Sequence, residues 1–219
     1  MRLLPPAFAF LPALLPGFVA AAQTPTAPEP PAPKTHVYAD LGLGIATRTF
    51  SAEMDARTAA ALGTAFDPGT AATLTVAFLA VPARLPSVGF GADARVSSGS
   101  PAAGGDPGAD FFFNDYDFGA SARYYPLADF GAGLYVQGGI GQGQLTMKRA
   151  AETERDFVHQ FAVGQSYTAG VGYGIRLRKT TIGLEAEYVY SSRSGTVDGV
   201  GEDVTFTNRQ FGLAAEGTF

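Results

Sequence analysis

The sequence contains no cysteine and no tryptophan. Without cysteine there is no disulfide framework, no thiolate zinc site and no lipid-bearing N-terminal Cys. His36 and His159 are the only histidines, too few and too far apart for a histidine metal site. Charge is also scarce, at 16% of residues, against ~25% in a typical soluble domain. Lys+Arg number 15 and Asp+Glu 20, so the basic footprint of a nucleic-acid binder is missing. No GxSxG nucleophile elbow occurs. The glycine-rich stretches 138–143 and 170–174 lack the spacing and the following helix of a phosphate loop. No cofactor site and no catalytic residue can be assigned.

The N-terminus reads as a secretory signal. Arg2 precedes an apolar stretch over 3–19, and Ala20, Ala21 and Ala22 offer an A-x-A cleavage site before Gln23. Pro5, Pro6, Pro12 and Pro16 argue against a membrane-spanning helix, since each interior proline removes a helix hydrogen bond. Beyond Val19 nothing approaches the ~18 consecutive apolar residues of a later spanning helix. The expected organisation is a signal peptide over 1–22, a Pro-rich linker over 23–36 and one barrel over 37–219. The linker sequence TPTAPEPPAPK suits an extended spacer.

From Val37 onward the dominant period is two, the period of a strand. Eight runs alternate, near 37–50, 71–81, 87–97, 112–125, 130–147, 160–178, 180–192 and 205–219. In the first, Val37, Ala39, Leu41, Leu43 and Ile45 share one face, and Tyr38, Asp40, Gly42, Gly44 and Arg48 the other. In the seventh, Ile182, Leu184, Ala186, Tyr188 and Tyr190 alternate with Gly183, Glu185 and Glu187. The runs reach or exceed the ~9–11 residues of a tilted membrane strand, whereas soluble strands average ~5–6. The links between runs alternate between short and long. Both termini then fall at the short-turn rim, the periplasmic side of an outer-membrane barrel.

Alternation alone fits a lipocalin-like soluble barrel equally well, so the choice rests on which face points inward. One face carries Asp40, Asp93, Arg95, Asp117, Arg123, Arg176, Glu185, Glu187 and Glu216. The same face carries Gly42, Gly89, Gly119, Gly141, Gly170, Gly172 and others. A strand glycine marks the close approach of another group. In a narrow eight-stranded interior it makes room for long Arg and Glu side chains, and on a solvent face it would do nothing. The charges are therefore expected inside, paired as one network, with the apolar face toward lipid. Phe50, Phe113, Tyr124, Phe130, Tyr188, Tyr190, Phe206 and Phe219 near strand ends suit membrane interfaces.

The opening strand, Tyr38-Ala39-Asp40-Leu41-Gly42-Leu43-Gly44, and the closing one, Gln210-Phe211-Gly212-Leu213-Ala214-Ala215-Glu216-Gly217-Thr218-Phe219, resemble those of the small OmpA/OmpX-like outer-membrane barrels. The resemblance covers about 37–219. It implies an all-β, eight-stranded antiparallel up-and-down transmembrane barrel in the outer membrane of a Gram-negative bacterium. It also implies that the terminal Phe219 is the signal read by the outer-membrane assembly machinery, and that the lipids, lipopolysaccharide included, are partners. The periplasmic peptidoglycan-binding domain of the longer family members is not expected.

Three functions follow as expectations, in order of preference. The first is a structural or interaction scaffold displaying four extracellular loops. The second is a narrow pore for small solutes. The third is a lipid A-modifying enzyme, disfavoured because neither histidine sits in a His-x-Ser motif. Asp110, Asp115 and Asp117 could imitate a calcium cluster but read better as a solvated rim.

Overall fold

The computed structural model describes residues 34–62, 67–99, 111–149, 162–178, 180–197 and 201–219. The expected signal segment, most of the linker, and His159 and Asp110 lie outside the described residues. The elements are β1 (His36–Phe50), α1 (Ala52–Leu62), β2 (Thr70–Val81), β3 (Val88–Gly99), β4 (Phe111–Tyr124), β5 (Gly133–Arg149), β6 (Ala162–Leu177), β7 (Thr180–Val197) and β8 (Gly201–Thr218).

Each strand pairs antiparallel with its sequence neighbours, and β1 pairs with β8, so the sheet closes. The seam runs from Asp40 opposite Thr218 to Phe50 opposite Asn208. Phe219 extends it, its N–H donating to Ala39 O at 2.9 Å and its carbonyl accepting from Ala39 N at 3.2 Å. Closure removes both sheet edges, which is what lets a sheet stand in lipid without unpaired backbone groups.

The eight runs expected from the alternation are the eight strands, and β2, β3, β4, β5, β7 and β8 reach further than expected at their upper ends. β7 continues to Val197 and β8 begins at Gly201. The last long loop is thus mostly strand, with a register shift between Gly195 and Val197. The first contains a helix that period-two reading passes over. Ser51 starts it, its carbonyl accepting from Asp55 N at 3.0 Å. Glu53 and Asp55 suit the positive N-terminal end of α1. Met54 and Thr58, one turn apart, are fully buried. On the opposite side Arg57 pairs with Glu53 at 2.8 Å, both exposed.

The interior is stacked in tiers. At the short-turn end Leu79, Val81, Tyr125, Phe130 and Tyr135 form an apolar cluster, with Tyr38 against it. At the long-loop end Phe50, Met54, Phe113, Leu145, Ala162, Val197, Val204 and Phe206 form another. Phe50, Phe113, Phe130 and Phe206 therefore do not stand at the membrane interfaces, where their strand-end positions suggested. They point inward, Phe50 packing edge to face with Phe206 at 5.8 Å between ring centres and Phe130 edge to face with Tyr125 at 5.0 Å. Tyr124, Tyr188 and Phe219 do point outward.

Candidate functional site

The charged tier lies between the two apolar clusters. Arg123 on β4 is the hub of its lower part. Its Nη1 donates to Asp40 Oδ2 at 2.6 Å, and its Nη2 lies 3.0 Å from Glu216 Oε2 and 3.6 Å from Glu185 Oε2. Nε and Nη2 also donate to Gln137 Oε1 at 3.1 and 2.8 Å. The guanidinium sits over the Tyr135 ring, 4.5 Å from its centre, and the Tyr135 hydroxyl donates to Glu216 Oε2 at 2.7 Å. Gln137 Nε2 donates to Glu185. These groups come from β1, β4, β5, β7 and β8, so one cation ties together five of the eight strands.

Arg95 on β3 reaches across to Glu187 on β7 and donates to Thr168 Oγ1 at 3.2 Å. Asp93 lines a small cavity beside it with Asp40, Thr75, Ser121, Gln137 and Glu216. The free space is about 20 Å³, room for a single water.

Above this lies a group that joins Asp117 to residues the alternation did not place in the network, Arg193 above all. Arg193 is fully buried, with Nη2 2.5 Å from Asp117 Oδ1 and 3.0 Å from Asp115 Oδ1, while Nη1 donates to Gly164 O at 2.7 Å. Asn208 Nδ2 and Gln210 Nε2 donate to the other Asp115 oxygen at 2.8 and 3.1 Å. Ser97 bridges Gln210 to Arg48, donating to Gln210 Oε1 at 2.8 Å and accepting from Arg48 Nη2 at 2.8 Å. Asp115 and Asp117 are therefore not a solvated rim. They hold a buried arginine whose strand continues past the point where a loop was expected.

The network thus brings together Asp40, Arg123, Glu185 and Glu216, then Arg95 with Glu187, then Asp117 with Arg193. It does not include Arg176. That side chain is exposed at the short-turn rim, where Nη2 donates to Phe130 O. The parity of β6 points Arg176 inward, but it stands one residue from the strand end, below the last tier. Asp93 borders the cavity without an ion pair among the described residues.

Glycine supplies the space. A Cβ on Gly170 would stand 2.6 Å from Glu185 Oε1, and one on Gly172 would overlap the Tyr135 ring. Outside, Leu41, Leu43, Ile45, Phe78, Phe118, Ile140, Val171, Tyr173, Ile175, Leu184 and Leu213 are all exposed. A barrel in water would bury these and expose the charges. The chain folds as an eight-stranded membrane barrel.

The apolar belt of this membrane barrel has the right height. On β6 it runs from Tyr167 to Leu177, with Gln165 the first polar outward residue above it. At ~3.3 Å per residue and a tilt of ~40° this span is about 25 Å tall, the height of an outer-membrane apolar band. Above the belt the pattern inverts. On β8, Phe211 and Leu213 face out, whereas Val204 and Phe206 face in. Asn208 and Gln210 lie between them on the inner face. The upper tier is therefore built like a water-soluble protein, apolar inside and polar outside.

Among the described residues no group of three or more His, Asp or Glu side chains is placed to hold a metal ion, and no helix is long and apolar enough to cross a membrane. No family model matches the sequence, and no curated protein matches it. Among solved structures, Neisserial surface protein A shares 18% identity over 84% of this chain and 97% of its own, at a TM-score of 0.46. OprG of Pseudomonas aeruginosa shares 12% over 86% and 98%, at 0.43. Ail of Yersinia pestis, in complex with the heparin analogue sucrose octasulfate, shares 11% over 82% and 98%, also at 0.43. These overlaps are too loose to carry an argument, and the barrel rests on its own eight strand pairings.

Proposed function

We propose that the protein is an outer-membrane barrel of a Gram-negative bacterium and acts as a structural and interaction scaffold rather than as a pore or an enzyme. The observation that carries this reading is the filled interior. Apolar clusters occupy both ends of the lumen, and a paired network with room for a single water occupies the middle. An eight-stranded bore is just filled by side chains, which supports a lumen that holds structure rather than a path for solutes. Function then falls to the surface at the long-loop rim, its loops and the extended β7–β8 hairpin, since a rigid scaffold of this kind presents its rim rather than a central site.

Both termini belong to the periplasmic side in this reading. Its partners are the outer-membrane lipids, lipopolysaccharide included, and the outer-membrane assembly machinery, for which Phe219 on the seam strand is the recognition feature. The 1–22 segment is the cleaved secretory signal and 23–36 the periplasmic linker.

The absence of native cysteine makes the test clean. A Gly104→Cys variant, in the second long loop, should react with a membrane-impermeant maleimide on intact cells. The same protein in a planar bilayer should give no conductance steps. Labelling only after lysis contradicts the orientation, and discrete steps favour the pore.

A further inference from the structure

We infer that the short-turn rim is a docking surface for the headgroups of anionic glycerophospholipids. The inference rests on the membrane reading but not on which side of the bilayer the rim faces. Arg84 and Leu85 are both exposed in the β2–β3 turn, and Leu177 and Arg178 are both exposed where β6 ends. Leu127, in the β4–β5 turn, is 84% exposed. Lys34 is exposed just before β1. Cations are thus spread around the circumference, two of them next to an apolar side chain at the edge of the belt. That is the arrangement in which leucine enters the acyl region while the guanidinium stays level with phosphate.

Neither Arg84 nor Arg178 makes an ion pair among the described residues, so both are available to a ligand. Asp129 is the one acid of the turns at this rim. The opposite rim has the other sign. Its first long loop carries Glu53, Asp55 and Asp67 against Arg57, and the sequence of the last carries Asp198, Glu202 and Asp203. The barrel is therefore electrically polar along its axis, and the basic end is the one whose charges lie directly below the apolar belt. A cation near an anionic membrane surface contributes roughly a fivefold preference for the charged lipid. Several around one rim make an annular site rather than a single pocket.

The test uses the full chain folded into vesicles of phosphatidylcholine, and of phosphatidylcholine mixed with phosphatidylglycerol of the same chain length. Spin-labelled lipids report the relative association of each headgroup with the barrel. At low salt the phosphatidylglycerol label should be preferred several-fold. The preference should shrink in high salt and fall toward equal association in the Arg84→Gln, Arg178→Gln double variant. Arg209→Gln, above the belt at the other end, should leave it unchanged. Arg84→Gln alone, at an exposed turn, gives the answer where the double variant does not insert. Equal association of both lipids with the wild type, or an undiminished preference in the variants, overturns the inference while the membrane reading stands. A chain that inserts into neither vesicle overturns both.

Discussion

Arg123 on β4 and Asp40 on β1 are 83 residues apart in sequence and meet inside the lumen at 2.6 Å. No backbone ladder joins these strands directly. The ion pair therefore braces the barrel across its bore, independently of the hydrogen bonds that close its wall. Both side chains are 4% exposed, so neither charge can fall back on water if its partner is removed.

Arg123→Met leaves Asp40, Glu185 and Glu216 facing one another without a cation. Breaking a buried pair from one side typically costs ~3–5 kcal/mol. The Arg123→Met, Glu216→Gln double variant should cost less than the sum of the two single changes, with a coupling of ~0.5–3 kcal/mol. Urea unfolding from lipid vesicles measures it, and strict additivity would show that the two do not share an interior.

Arg176 gives the contrast. Its charge faces the rim, so Arg176→Met should change stability by no more than about 0.5 kcal/mol. It should be additive with Glu185→Gln, Glu187→Gln and Asp117→Asn. Coupling to any of these acids in the same unfolding experiment would return Arg176 to the network.

Gly172→Ala places a methyl group in the Tyr135 ring and should cost ~1–3 kcal/mol through overpacking. Gly138 lies on the outer face, where an added Cβ meets nothing nearer than 3.8 Å. Gly138→Ala should be neutral or stabilising by up to about 1 kcal/mol. Equal effects of the two changes in a side-by-side denaturation series would contradict the inner placement of Gly172.

Leu184 is 71% exposed in the middle of the belt. An Arg at that depth in a membrane barrel costs ~2–4 kcal/mol, and near an interface ~0–1 kcal/mol. Leu184→Arg should therefore destabilise the barrel in vesicles far more than Ser192→Arg, which lies above the belt on the same strand and face. In detergent-free buffer the order carries no meaning, so the comparison is made in lipid.

The closed barrel was legible because period-two alternation over long runs has few other physical causes, and because glycines share a face with charges only where space is short. What escaped the sequence reading lies at the strand ends. Val204 and Phe206 have the opposite parity to Phe211 and Leu213, so the upper part of β8 looked like the end of a pattern rather than its inversion. The same inversion separates Phe50 from Ile45 and Leu145 from Ile140. A strand leaving the bilayer exchanges lipid for water outside, and its apolar side chains then turn inward. That hid Arg193 in an expected loop and Asp115 on an expected rim. It also made inward-packed phenylalanines look like an interfacial girdle. The helix α1 was signalled by Ser51 followed by Glu53 and Asp55, a helix start that strand periodicity cannot register. The partners of each arginine were not legible at all, because they depend on which strands stand opposite across the bore.

The central claim is that one face of each strand meets lipid and the other a closed interior. A nitroxide scan along β7 tests it most directly, one cysteine at a time from Thr180 to Val197 in a chain with no native thiol. The even positions from Ile182 to Tyr190 should be accessible to dissolved oxygen and shielded from a water-soluble nickel chelate. At Ser192 and Ser194 the preference should reverse in favour of the chelate, because these positions stand above the bilayer. Chelate access along the whole even face would contradict the account, because Leu184 and its neighbours would then face water.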